Sequence, residues 1–144
     1  MKSDRVLRVI AKLMIPFVLV FALYVQLHGD FGPGGGFQAG VILAAGLIFY
    51  GLIFGLETTR RIAPDWLVET MVAAGVLIYA GVGVVSMLLG GNFLDYSVLA
   101  RDPVAGQHLG ILLVELGVGV TVSGVMVTIF YMFAGRAGRE PGED

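Results

Sequence analysis

The sequence predicts an all-α fold, an integral membrane four-helix bundle with both termini cytoplasmic. Three observations lead there. The 144 residues are 57% hydrophobic and only 14% charged, against roughly 25% charge in an average soluble domain, and the mean hydropathy is +0.89. The apolar residues gather into four segments, each about as long as the ~20 residues that cross a hydrocarbon core of ~30 Å. Finally, Lys and Arg crowd one side of those segments: Lys2, Arg5, Arg8 and Lys12 before the first, Arg60 and Arg61 between the second and third, Arg136 and Arg139 after the fourth. Only Arg101 falls on the other side. Basic flanks stay in the cytoplasm, so the two other connections face outward.

The first helix is expected over about 8–27, with Lys12 reaching back to the surface along its aliphatic stem and Pro16 offering a place for a kink. Its basic start is like that of a signal peptide, but VQLHGDFG follows, with no small-residue cleavage site. Next comes Phe31–Leu56, 26 residues without a formal charge. Its opening, Pro33-Gly34-Gly35-Gly36-Phe37, is unsuited to a regular helix, because consecutive glycines lose most backbone entropy on ordering and proline biases its predecessor away from αR. Irregular backbone at a membrane face survives only where protein buries it or water reaches it. The second helix is expected over 37–56, followed by a polar loop. The third is expected over 66–89 with Trp66 as interfacial anchor, the fourth over 107–134, and a disordered polar tail over 135–144. Residues 1–144 thus form a single membrane domain.

Several function classes drop out. There is no cysteine and the net charge is −2, so neither thiolate chemistry nor a nucleic-acid partner is expected. Gly34-x-Gly36-x-x-Ala39 matches a dinucleotide fingerprint in letters only, for it lacks the preceding strand and the downstream acid. No Gly-Lys-Ser/Thr follows any glycine run, and no Ser/His/Asp arrangement or metal-spaced cluster appears; His28 with Asp30 is too little for a site. The expectation is no enzyme, no metal and no cofactor.

What remains is the bilayer and its ions. Glu115 lies in HLGILLVELGVGV, apolar on both sides, and an acid there costs enough that it commonly marks an ion or proton pathway. The other reading is a carboxyl group that only hydrogen-bonds a neighbouring helix. His108, two turns earlier, shares a stripe with Leu112, Glu115 and Gly119, about 10 Å from Glu115 by helix rise; an imidazole can change charge at physiological pH, though at a helix end it can also be a plain interfacial side chain. A second stripe, Gly110, Gly117, Thr121, Gly124 and Thr128, reads as a packing groove, as does Gly36, Gly40, Ala44, Gly51 and Gly55 on the second helix. The 22 glycines, about double average usage, suit close helix packing, within the chain or against other chains.

The PGGGFQAG string opening the second helix resembles the signature of the MnhB/MrpB family, the B subunits of multisubunit Mrp-type cation/proton antiporters. Pro33, Gly34, Gly35, Gly36 and Phe37 match it residue by residue, and the likeness extends to the basic start, the four helices and an acid in the fourth. In the family that acid is commonly an aspartate in Phe-Asp-Ile-Gly; here the string is Val114-Glu115-Leu116-Gly117, which keeps the charge and adds a methylene. The resemblance implies a small plasma-membrane subunit of a Na+/H+ exchanger, with large and small subunits as partners, Na+ and H+ as transported ions, and Glu115 and His108 as candidates for the ion pathway. It equally allows a structural subunit whose glycine faces dock partners, or the equivalent subunit of a membrane-bound hydrogenase-type pump. A free-standing small multidrug exporter fits poorly, since such proteins carry their acid in the first helix.

Overall fold

The structure is a computed structural model that describes residues 2–29, 31–32 and 34–137. It contains α1 Lys2–His28, α2 Gly36–Phe54, α3 Leu56–Ile62, α4 Asp65–Leu88 and α5 Pro103–Ala137. All except α3 are long and apolar enough to cross a membrane. The remaining turn of 3-10 helix, Tyr96–Val98, lies between α4 and α5.

Several boundaries differ from the sequence expectation, each for a local reason. The first helix begins at Lys2 rather than near residue 8 and continues through Pro16. The second ends at Phe54, because Gly55 takes φ +92°, a left-handed conformation that only glycine adopts freely. Beyond that break the segment expected as polar loop is the short helix α3. Thr59 anchors it: its hydroxyl donates to Gly55 O at 3.0 Å and the residue is fully buried. The fifth helix starts at Pro103 rather than 107, since proline suits a first helical position and the Asp102 carboxylate accepts from Ala105 N at 3.3 Å. It runs to Ala137, so 135–137, expected in the tail, are helical; 138–144 lie outside the described residues.

The helices alternate in direction. α5 packs against both α2 and α4, and α1 packs mainly on α2. α1 buries Ala11, Ile15 and Ala22, spaced to lie on one helical face. The α4–α5 seam is a small-residue contact: a Cβ on Gly117 would lie 2.8 Å from Gly75 O, one on Gly124 3.0 Å from Val68 O, and the Thr121 hydroxyl donates to Val72 O at 3.5 Å. With lipid tails as apolar as the helices, such close backbone approach supplies the packing attraction. At the α3 end, Ala44, Ala63, Val68, Val127 and Tyr131 form a buried cluster. There the Tyr131 hydroxyl donates to Ala63 O at 2.8 Å, and the Arg60 guanidinium lies 5.2 Å over its ring while pairing with Asp65 at 3.3 Å. Both ionic side chains are substantially exposed, so the pair contributes at most about 1 kcal/mol.

At the opposite end the α4–α5 connection is fastened by aromatic rings set into glycine notches. Phe93 fills the space that a Cβ on Gly83 would need, and Tyr96 fills that of Gly110. Gly110, read as part of the helix-packing groove, therefore receives a ring from the loop. Asp95 closes the turn: its carboxylate accepts from Ser97 Oγ at 2.5 Å and Ser97 N at 3.2 Å.

Candidate ion site

The glycine turn and Glu115 meet. α1 ends at His28 and α2 starts at Gly36, and Gly29 and Gly35 between them lie against the Glu115 side chain on α5. A Cβ on Gly29 would collide with that carboxylate, at 2.6 Å from Oε1, and one on Gly35 would lie 2.7 Å from the same oxygen. A Cβ on Gly36 would overlap the backbone carbonyl of Glu115 itself. No side chain fits at these three positions while Glu115 keeps its place.

The successive glycines have separable tasks. Gly34 has φ +152° with only ordinary contacts around it, so its requirement is conformational. Gly35, at φ +129°, has that requirement and also the carboxylate beside it. Gly36 is already helical and is needed for the close crossing of α2 over α5. One turn on, Gly40 continues that crossing, with its Cβ position 2.6 Å from Gly119 O. The tightest α2–α5 contact is thus Gly36-x-x-x-Gly40, a spacing legible in the sequence, whereas Gly55 of the Gly51–Gly55 pair has nothing within 4 Å of its Cβ position. Pro33 lies outside the described residues. Phe37 is exposed and lines an open groove with Tyr24 and His28 that does not include Glu115.

Two features shape the electrostatics. Glu115 is half-buried, and it lies at the amino end of α2, where Ala39 N is the first to bond back, to Gly35 O at 3.0 Å. Earlier N–H groups cannot be satisfied from within the helix, and this end carries the positive pole of the helix dipole, worth roughly 0.3–1 kcal/mol to a nearby carboxylate. His108 sits two turns nearer the start of α5 on an exposed turn, about 10 Å away by helix rise. Both side chains engage in interactions of their own. The stripe His108, Leu112, Glu115, Gly119 runs from exposed through half-buried to buried.

One residue that sequence reading passed over belongs here. Gln26, near the end of α1, lies against Gly119, whose Cβ position is 2.6 Å from Gln26 Oε1. It lines a cavity of about 170 Å³ with Gly40, Gly119 and Ser123. The available signal was a lone amide inside an apolar run.

A bundle of four apolar spans in which Gly29, Gly35 and Gly36 close around a half-buried carboxyl group has the make-up of a small multi-pass membrane protein. The sequence profile described as "Domain related to MnhB subunit of Na+/H+ antiporter" matches residues 6–128, and the chain belongs to the MnhB family. It is similar to the "Putative antiporter subunit mnhB2" of Staphylococcus aureus strains Newman, USA300 and COL, at 33% identity over 138 residues, covering 93% of this chain and 96% of each relative.

Proposed function

We propose that this protein is a small subunit of a multisubunit plasma-membrane antiporter exchanging Na+ for H+, and that Glu115 belongs to its ion route. One observation carries the reading: a carboxylate inside an apolar bundle has a dedicated housing, with glycine at 29, 35 and 36 because anything larger would collide with residue 115. A lipid-facing acid would gain nothing from such a housing, while an acid that binds and releases a cation or proton needs a fixed geometry. The Lys and Arg distribution sets both termini in the cytoplasm, which turns the glycine loop outward. His108 then stands on the outer turn of α5, between external water and Glu115, where it can pass protons. The family supplies the partners: other small subunits and large antiporter subunits of one complex, with the exposed helix faces of this chain available to dock them.

The contact of Gly36 with the backbone of residue 115 favours a second reading, in which the carboxyl group serves assembly alone. The test is Na+/H+ exchange by the complex purified through this chain and reconstituted in liposomes. Glu115→Gln, nearly isosteric, should cut exchange per assembled complex at least tenfold with the yield of complex unchanged. If yield and exchange fall together while activity per complex stays native, Glu115 is a packing residue.

A further inference from the structure

Directly inward of Glu115 along α5, one and two turns on, come Gly119 and Ser123, which line the 170 Å³ cavity with Gln26 of α1 and Gly40 of α2. The rest of its wall is apolar, with Leu23, Leu43, Met71, Leu116 and Val120, so Gln26 and Ser123 are its polar side chains. Gln26 Nε2 is buried and has no hydrogen-bond partner among the described residues. An amide donor in that condition bears a desolvation penalty that a single water removes. The space is ample, since a water needs only ~10–15 Å³ of such volume. The Ser123 hydroxyl, 2% exposed as a residue, donates to Val120 O at 2.9 Å, which leaves its lone pairs free to accept from a water.

We propose that this cavity is hydrated, that the Gln26 amide fastens its water, and that it carries the ion route one to two helical turns deeper than Glu115. The inference rests on the assignment of Glu115 to that route and adds the next station to it. Gly40 and Gly119 on the cavity wall mark the close α2–α5 crossing beside which it lies. Gln26 acts as a positioning residue: it holds water beneath the carboxylate and does not itself exchange a proton. One turn below Ser123, Val127 is outside the cavity lining and packs within the core cluster.

The absence of cysteine from this chain makes thiol labelling a clean test. In the assembled complex, Ser123→Cys should react with 2-aminoethyl methanethiosulfonate, read on this chain by mass spectrometry, at least tenfold faster than Val127→Cys. Gln26→Leu, of similar volume, should lower exchange per complex at least tenfold, and Gln26→Asn, which retains the amide, should recover part of it. No labelling at Ser123→Cys, or equal rates at the two positions, overturns the proposal whatever Gln26→Leu does to folding. Native exchange by assembled Gln26→Leu complexes overturns it too. If Glu115→Gln abolishes exchange in that same series, the Glu115 reading stands and only the deeper station falls. Labelled Ser123→Cys and impaired Gln26→Leu beside active Glu115→Gln would keep the hydrated cavity and remove Glu115 from the route.

Discussion

Glu115 and its glycines define each other at the residue scale. The sequence announced both: an acid in an apolar helix is conspicuous, and so is PGGGF. Their contact was not legible, because nothing in the letters says that residue 35 crosses residue 115. Three consecutive glycines also looked like one device, whereas the backbone assigns them conformation, conformation with clearance, and clearance. This distinction has a measurable consequence. Gly34→Ala should be tolerated best, at a cost of about 1–3 kcal/mol from its strained torsion. Gly36→Ala must move the α5 backbone, since its Cβ would overlap a carbonyl, and should cost more than about 3 kcal/mol. Thermal unfolding of the detergent-solubilised complex would rank the two; a Gly36→Ala protein as stable as the native one would rule out the crossing described here.

Among the elements, the four long helices could be read from hydropathy almost residue for residue in their interiors, and only their ends were misjudged. Ends depend on single contacts, such as Thr59 on Gly55 and Asp102 on Ala105, which hydropathy does not register. The loop after α4 was legible as a loop, but its two glycine-seated rings were not, because Gly83 and Gly110 look the same as glycines that face helices. The turn at its centre should respond to acid. Hydrogen bonds from the Ser97 hydroxyl, then its amide, hold the Asp95 carboxyl below its ordinary value of 3.8. A depressed native value means the stabilisation is complete above about pH 4 and fades as pH falls through the native value. Amide exchange at Tyr96–Val98, corrected for intrinsic rates, should therefore be constant from pH 7 to 5 and accelerate below 4; Asp95→Asn should flatten that profile. A turn equally protected at pH 3 would count against the Asp95 cap.

Taken as a whole molecule, the bundle pairs helices of unequal reach. α2 has 19 residues and α5 has 35, which correspond to roughly 28 Å and 52 Å of rise. Because Gly36 touches residue 115, Glu115 is level with the very start of α2. Counting along α5 alone sets it well inside the apolar stretch; its crossing with α2 sets it at the end of that 19-residue span, with the first turns of α5 projecting past it. An ion that reaches Glu115 from that side has therefore fallen through little of the membrane potential. A full traverse is worth about 2.3 kcal/mol per elementary charge at 100 mV, nearly a fiftyfold change in occupancy, while a rim site feels a small fraction of it. Half-saturation by cation on the glycine-turn side should shift less than about twofold when 100 mV is imposed across reconstituted liposomes. On the proposed assignment of Glu115 to the ion route, the charge movement that makes exchange electrically sensitive belongs to the remaining ~28 Å below the carboxylate, along which this chain offers a small cavity and the other subunits the rest.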